Sequence, residues 1–213
     1  MMKSIIFDFD GVLAESVDIK TKAFAELYKN HGPKIVKQVV DYHLKNGGIS
    51  RYEKFKFFQE VLLGLEYTED VERESGDRFS NLVEEMVVKA PWVTGAKEFL
   101  DDYFRRINIY VVSATPDEEL KRIIQKRNMA HYFRSVYGAN RKKGESILFI
   151  LEKNGYSSEE AMVVGDSIAD YEGAMEAGAK FIGRVPEGGK SPFPQNVIFF
   201  NNPFDYLRSL NGF

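Results

Sequence analysis

Two aspartates stand two residues apart at the end of an apolar run, in SIIFDFDGVLAES at residues 4–16. The run reads as a buried strand, and Asp8 and Asp10 lie at its carboxyl end, just before Gly11. A spacing of two puts both side chains on one side while the chain stays extended. Carboxylates this close repel, and one of them resists ionising. A bound divalent cation removes that conflict, and Mg2+ takes oxygen ligands of this kind. A strand terminus closed by an Asp cap and a turn at Gly11 accounts for the pair without any ligand.

A second acidic pair falls in VVGDSIAD at residues 163–170. Asp166 ends another apolar run, and Asp170 follows four residues later. Ser167 can cap the next helix with Asp170 in its first turn, but capping does not explain why Asp166 also sits at a strand end. Four carboxylates at two strand ends exceed what capping requires and resemble a Mg2+ site with one carboxylate to spare for chemistry. A phosphate facing such a site needs donors and positive charge. VVSATP at residues 111–116 offers the Ser113 hydroxyl and the amides of Ala114 and Thr115 at a strand-to-helix turn, a cradle for an oxyanion; either hydroxyl can instead cap the helix after Pro116. RKKGES at residues 141–146 offers Arg141, Lys142 and Lys143. Such a cluster serves as a solvated loop, or it turns one lysine inward against phosphate and aspartates.

These residues need a scaffold that ends several strands at one edge. Six short apolar runs, at 4–9, 107–114, 133–138, 161–166, 180–185 and 196–200, are rich in β-branched and aromatic residues and bounded by Gly, Asp, Asn or Pro. Helical patterns lie between most of them: 116–129 with acids early and bases late, 143–155 stopped by Gly155, and 170–178 closed by Gly178. Strands alternating with helices predict a parallel sheet covered on both faces, and ligands of such sheets bind beyond the strands' carboxyl ends. Residues 15–88 carry no strand candidate and read as four helical stretches, 18–32, 34–48, 50–64 and 70–89. The expected architecture is therefore a doubly wound α/β core built from 1–14 and 89–213, with an α-helical cap inserted at 15–88.

A chain of 213 residues with 44% hydrophobic content is long enough to bury a core without staples, and having no cysteine it excludes disulfides and thiolate chemistry. The absence of cysteine suits a reducing cytoplasm. Asp8 arrives too early for a secretory h-region, and no run is long enough to cross a membrane. With 29 basic against 32 acidic residues, overall charge does not favour nucleic acid. The three histidines show no metal-ligand spacing, and Trp92 reads as a packing residue.

In chain order, DFDGVL at 8–13, Ser113, Lys142 or Lys143, and GDSIAD at 165–170 resemble the motifs of the haloacid dehalogenase superfamily, in its phosphatase-like members with a helical cap, of the phosphoglycolate phosphatase and β-phosphoglucomutase kind. The resemblance spans nearly the whole chain, and the first and last motifs carry most of it. It implies Asp8 as nucleophile forming an aspartyl-phosphate. It implies Asp10 as the acid that protonates the leaving alkoxide and the base that activates water. Mg2+ would be held by the Asp8 carboxylate, the Asp10 main-chain carbonyl and Asp166, with Asp170 in support. Ser113, Ala114 and Thr115 would bind the phosphoryl group, and a lysine would shield its charge. Lys143, opening K-G-E, is favoured over Lys142. Asp10 argues against dehalogenase and phosphonate-cleaving chemistry, because those branches lack an acid at that position.

The implied function is a Mg2+-dependent phosphatase of a small phosphorylated metabolite, a sugar phosphate or phosphoglycolate, acting as a monomer or small homo-oligomer. A phosphomutase is the alternative within the family; a non-catalytic phospho-acceptor or binding module is the alternative outside it. In the cap, KNGGISRYEKF at 45–55 combines a glycine pair with Arg51, Tyr52 and Lys54, and this stretch is expected to face the active site. Arg51 is expected to contact an anionic or polyhydroxylated substrate, and the same stretch reads as a helix start with Ser50 as N-cap and Glu53 as capping-box partner. Both readings can hold together.

Overall fold

The structure is a computed structural model that describes residues 2–210. Six parallel strands form one sheet: β1 Ser4–Phe7, β2 Asn108–Val112, β3 Ser135–Tyr137, β4 Ala161–Gly165, β5 Lys180–Arg184 and β6 Phe199–Phe200, in the order β3-β2-β1-β4-β5-β6. All six strands coincide with the predicted apolar runs, each shorter by one to three residues. β1 lies in the middle, with Phe7 in register with Val111 of β2 and Val164 of β4. Being covered on both faces, it is continuously apolar rather than alternating. Ile5 and Phe7 pack into one core layer and Ile6 into the other, the period of two expected of a strand.

On one face lie α5 (Ala96–Tyr103), α6 (Asp117–Lys126) and α9 (Pro203–Ser209); on the other lie α7 (Lys143–Asn154) and α8 (Ile168–Glu176). α5 and α9 are short helices beyond those the patterns predict. The chain order reverses across β1, where β2 and β4 flank it, and this switch point opens a crevice at the strands' carboxyl ends.

Between β1 and α5 the chain is helical: α1 (Val17–Leu27), α2 (Pro33–Lys45), α3 (Arg51–Phe57) running into one wide turn at Phe58–Leu62, and α4 (Glu69–Lys89). This is the expected helical insert. Phe24, Phe55, Phe58 and Phe79 pack as its aromatic centre, with Phe24 and Phe79 ring centroids 4.4 Å apart. The centre is continuous with the core layer under β1. The chain leaves and re-enters the α/β core side by side: Glu15 N donates to Pro91 O at 2.9 Å, and Val93 N to Leu13 O at 3.1 Å. Trp92 packs at this crossing, with the Arg127 guanidinium 5.2 Å from its ring centroid. Among the described residues no helix is long and apolar enough to cross a membrane.

Candidate active site

β1 stops pairing at Phe7, and Asp8 N then donates to Val164 O at 2.9 Å. From there the chain turns tightly: Leu13 N and Ala14 N both reach Phe9 O, and Gly11 N reaches Ala14 O. Gly11 has φ +74°, and a Cβ there would collide with Asp166 Oδ2, so only glycine lets the two acidic motifs close on each other. The chain curls after Asp8, yet both aspartates still line one cavity, each with its own partners.

Asp8 joins Asp166 and Asp170 in a cluster whose carboxylate oxygens lie within 4.8 Å of one another. Lys143 Nζ lies 3.0 Å from Asp8 Oδ1 and also donates to Asp170 Oδ1. Lys142 is the exposed N-cap of α7, so of the two candidates Lys143 is the one that turns inward. Burial disfavours the Lys143 charge, but Asp170 and Asp8 overcome this and raise its pKa. Asp8 gains less, since it shares that one cation. Burial, with Asp170 and Asp10 as like charges, pushes Asp8 up to about 7 despite Lys143. Asp166 is raised too, by burial and by the charges of Asp8 and Asp170, and no hydrogen bond within the described residues relieves it. An all-oxygen cluster with two carboxylates resisting ionisation fits a hard divalent cation, which would reverse both shifts.

Asp10 has the opposite surroundings. Lys20 of α1 donates to its Oδ2, Ser16 to its Oδ1, and Thr115 Oγ1 lies 3.3 Å from Oδ2. Lys20 also reaches Thr115 Oγ1 at 2.8 Å. Burial works to raise the Asp10 pKa, but the Lys20 charge and these hydrogen bonds outweigh it and hold the carboxyl below its ordinary value. Their surroundings thus push the Asp8 and Asp10 carboxyls in opposite directions.

Ser113 and Ala114 line the cavity at the end of β2. The Ser113 hydroxyl accepts from Thr115 N at 3.1 Å, and Pro116 is the N-cap of α6 with no side-chain cap hydrogen bond, so neither hydroxyl caps that helix. Thr115, expected as a cradle amide, has its N–H on Ser113 and its hydroxyl on Asp10. Asp170 serves both readings at once: Oδ2 accepts from Ser167 N at 3.1 Å in the capping box of α8, while Oδ1 faces Lys143.

The cap closes over these residues. A cavity of about 140 Å³ is lined from below by Asp8, Asp10, Ser113 and Asp166, and from above by Phe24, His43, Arg51 and Lys54. Gly48, at φ +80°, brings the α2–α3 loop so close to Ser167 that a Cβ would strike its Oγ. Arg51 does not offer a free cation. Its guanidinium pairs with Glu119 of α6 at 2.6 and 2.7 Å, with Ser80 at 3.0 Å, and the pair is 4% and 3% exposed. Ser50 caps α3 by accepting from Tyr52 N. The residues that sequence patterns do not single out are Ser16, Lys20 and Glu119; Lys54 lies with Arg51 and Tyr52 in the cap stretch expected to face the site. For Lys20 a signal existed: it follows Ser16 by four residues and so shares its helix face.

A family model for haloacid dehalogenase-like hydrolases matches residues 5–184. A protein of Thermotoga maritima named phosphorylated carbohydrates phosphatase is 25% identical over 98% of both chains. A hydrolase structure from Pseudomonas syringae superposes with a TM-score of 0.77 at 17% identity, covering 99% of this chain and 98% of its own. A T. maritima structure described as a candidate β-phosphoglucomutase gives 0.71 at 20% identity, covering 98% and 100%. The acidic cluster at the ends of β1 and β4, the helical insert after the first motif and a match across most of the chain lead to one conclusion: this protein belongs to the haloacid dehalogenase-like hydrolase family.

Proposed function

We propose that the chain is a phosphomonoesterase of small phosphorylated metabolites, phosphorylated carbohydrates foremost, with a core of 1–14 and 89–213 and a specificity cap of 15–88. The observation that carries this is the division of labour between Asp8, set against Lys143, Asp166 and Asp170, and Asp10, set against Lys20, Ser16 and Thr115. A carboxylate nucleophile must be ionised and close to cations that accept phosphoryl charge. Asp8 has Lys143 beside it for both purposes. In the first half, an Asp8 oxygen forms a bond to phosphorus, the ester P–O bond breaks, and Asp10 gives the leaving alkoxide its proton. In the second, Asp10 takes a proton from water, the water oxygen attacks phosphorus, and Asp8 is released with inorganic phosphate. Lys20 beside Asp10 favours its ionised form and so the second half. Ser113 and Ala114 would hold the phosphoryl oxygens. Mg2+ would be held by Asp8, Asp166 and Asp170, and when bound it supplies positive charge for the phosphoryl oxygens. The named activity of the T. maritima relative supports the carbohydrate assignment.

The test is phosphate release from a panel of phosphorylated sugars and acids, with Mg2+ and with chelator. Release should need the metal and should fall at least about a thousandfold in Asp8→Asn. Release that survives chelation and that substitution sinks the reading. Interconversion of sugar-phosphate isomers without release moves it to a mutase.

A further inference from the structure

The cap holds a cation that has no anion. Lys54 of α3 is 4% exposed, and its Nζ lies 3.0 Å from Nδ1 of His43 on α2. His43 is 6% exposed, and its Nε2 is buried with no hydrogen-bond partner. Both line the cavity that Asp8, Asp10 and Ser113 line from the other side. Phe24 packs against both, 4.7 Å from the His43 ring and 5.7 Å from Lys54 Nζ. The other shielded cations on this cavity are committed: Lys20 to Asp10 and Arg51 to Glu119. Among the described residues no carboxylate pairs with Lys54.

A buried ammonium without a counter-ion is costly, and a protein either neutralises it or lets a ligand complete it. Burial, with Lys20 and Lys143 as like charges, brings Lys54 down to about 7, so in the free protein it holds its proton weakly. When Lys54 is charged it donates to His43 Nδ1, which puts the ring proton on Nε2. The pair then offers two N–H groups from Lys54 and one from His43, all donors and none satisfied by the protein. A carboxylate supplies two acceptor oxygens and the missing charge, whereas a hydroxyl supplies no charge.

We propose that Lys54, backed by His43, is a substrate-selecting subsite of the cap that binds a carboxylate on the same molecule whose phosphate ester meets Asp8. This rests on the phosphomonoesterase reading and, within its small phosphorylated metabolites, moves the preference from neutral carbohydrates to phosphorylated hydroxy acids, sugar acids among them. Among the cap residues on the cavity wall, Lys54 takes the selecting role first expected of Arg51, whose charge Glu119 already occupies.

The experiment measures calorimetric binding of 2-phosphoglycolate and of 2-hydroxyethyl phosphate, which lacks the carboxylate, with Mg2+ present. Asp8→Asn, which blocks turnover, is the background, and it is compared with the double variant that adds Lys54→Met. With Lys54 present, phosphoglycolate should bind more tightly than hydroxyethyl phosphate. Lys54→Met should weaken phosphoglycolate about 30-fold and hydroxyethyl phosphate less than threefold. Lys54→Gln gives the same readout should the methionine variant not fold. No preference with Lys54 present, or equal loss for both ligands, overturns the subsite. Preference in binding together with no phosphate release by the wild-type chain upholds the subsite and overturns the phosphomonoesterase reading instead.

Discussion

Lys143 in the α/β core and Lys54 in the cap both lie out of solvent, 8% and 4% exposed. Lys143 meets two carboxylates, Asp8 and Asp170, and keeps its proton more firmly than a free lysine. Lys54 meets a neutral imidazole, and burial with the like charges of Lys20 and Lys143 outweighs the pull of Asp10 and Asp166, so it keeps its proton less firmly, with a pKa near 7. Burial penalises both; what decides the outcome is whether an opposite charge has been buried alongside. In the core, Lys143 already has its counter-ions in Asp8 and Asp170. The cap is complete only when something else enters.

The same substitution at the two lysines should have opposite effects. Lys143→Met leaves Asp8 and Asp170 buried without their cation, and it should destabilise the metal-free protein by about 3–5 kcal/mol at pH 8. Lys54→Met should do the reverse. The folded-state pKa of Lys54 lies near 7, below the usual 10.5 of the unfolded chain. The folded state therefore binds this proton less tightly, a cost that is full below pH 7 and fades as pH rises toward 10.5. Removing the lysine should raise stability by about 2–4 kcal/mol at pH 6, and the gain should shrink steadily above pH 7. Urea denaturation of both variants at pH 6, 8 and 9.5 checks this. The same sign for both substitutions would end the contrast.

A third buried charge sharpens the rule. Glu119 of α6 accepts both guanidinium nitrogens of Arg51 and the Ser80 hydroxyl, tying α3 and α4 of the cap to the core. Glu119→Gln strands Arg51 and should cost about 3 kcal/mol. Replacing both partners by apolar residues, Arg51→Met with Glu119→Leu, should recover most of that loss, because no charge is then left buried without its partner. Denaturant midpoints of the single and double variants measure it. A double variant as weak as the single one would mean that the clasp stabilises the closed cap beyond charge balance.

The sheet was legible because each strand is an apolar run bounded by Gly, Asp, Asn or Pro, and these boundaries put Asp8, Asp10, Ser113 and Asp166 at strand ends. The helical insert was legible as a long stretch without such runs. α5 and α9 escaped because eight and seven residues make too few turns for a period to register. The charge partners escaped for a different reason. Lys20 touches Thr115 across 95 residues, Arg51 touches Glu119 across 68, and Arg184 reaches Glu15 across 169. Such pairings depend on how the elements pack, and no local period records them. Arg51 shows the consequence: its type and its place beside Gly47 and Gly48 suit a ligand, yet a carboxylate from another helix reaches it first. Lys54, three residues on, has nothing in its local sequence to show that it was left without one.

The smallest effect should come from a second link between cap and core, at the surface. Glu84 of α4 accepts from Arg122 at 2.9 Å and Lys126 at 2.7 Å, both on α6 and both about half exposed. These bonds hold the Glu84 carboxyl below its ordinary value. Its contribution is therefore present above pH 4.5 and lost as pH falls. Solvent screens it, so Glu84→Gln should cost only about 0.5 kcal/mol at pH 7 in low salt, and close to nothing in about 1 M NaCl. The Glu119 loss should persist in that salt, since ions do not reach a pair 4% and 3% exposed. Parallel denaturation curves in low and high salt separate the two. Equal salt sensitivity would mean that the Arg51–Glu119 pair is reached by solvent, and the cap would then open readily enough to admit a substrate without first breaking a buried clasp.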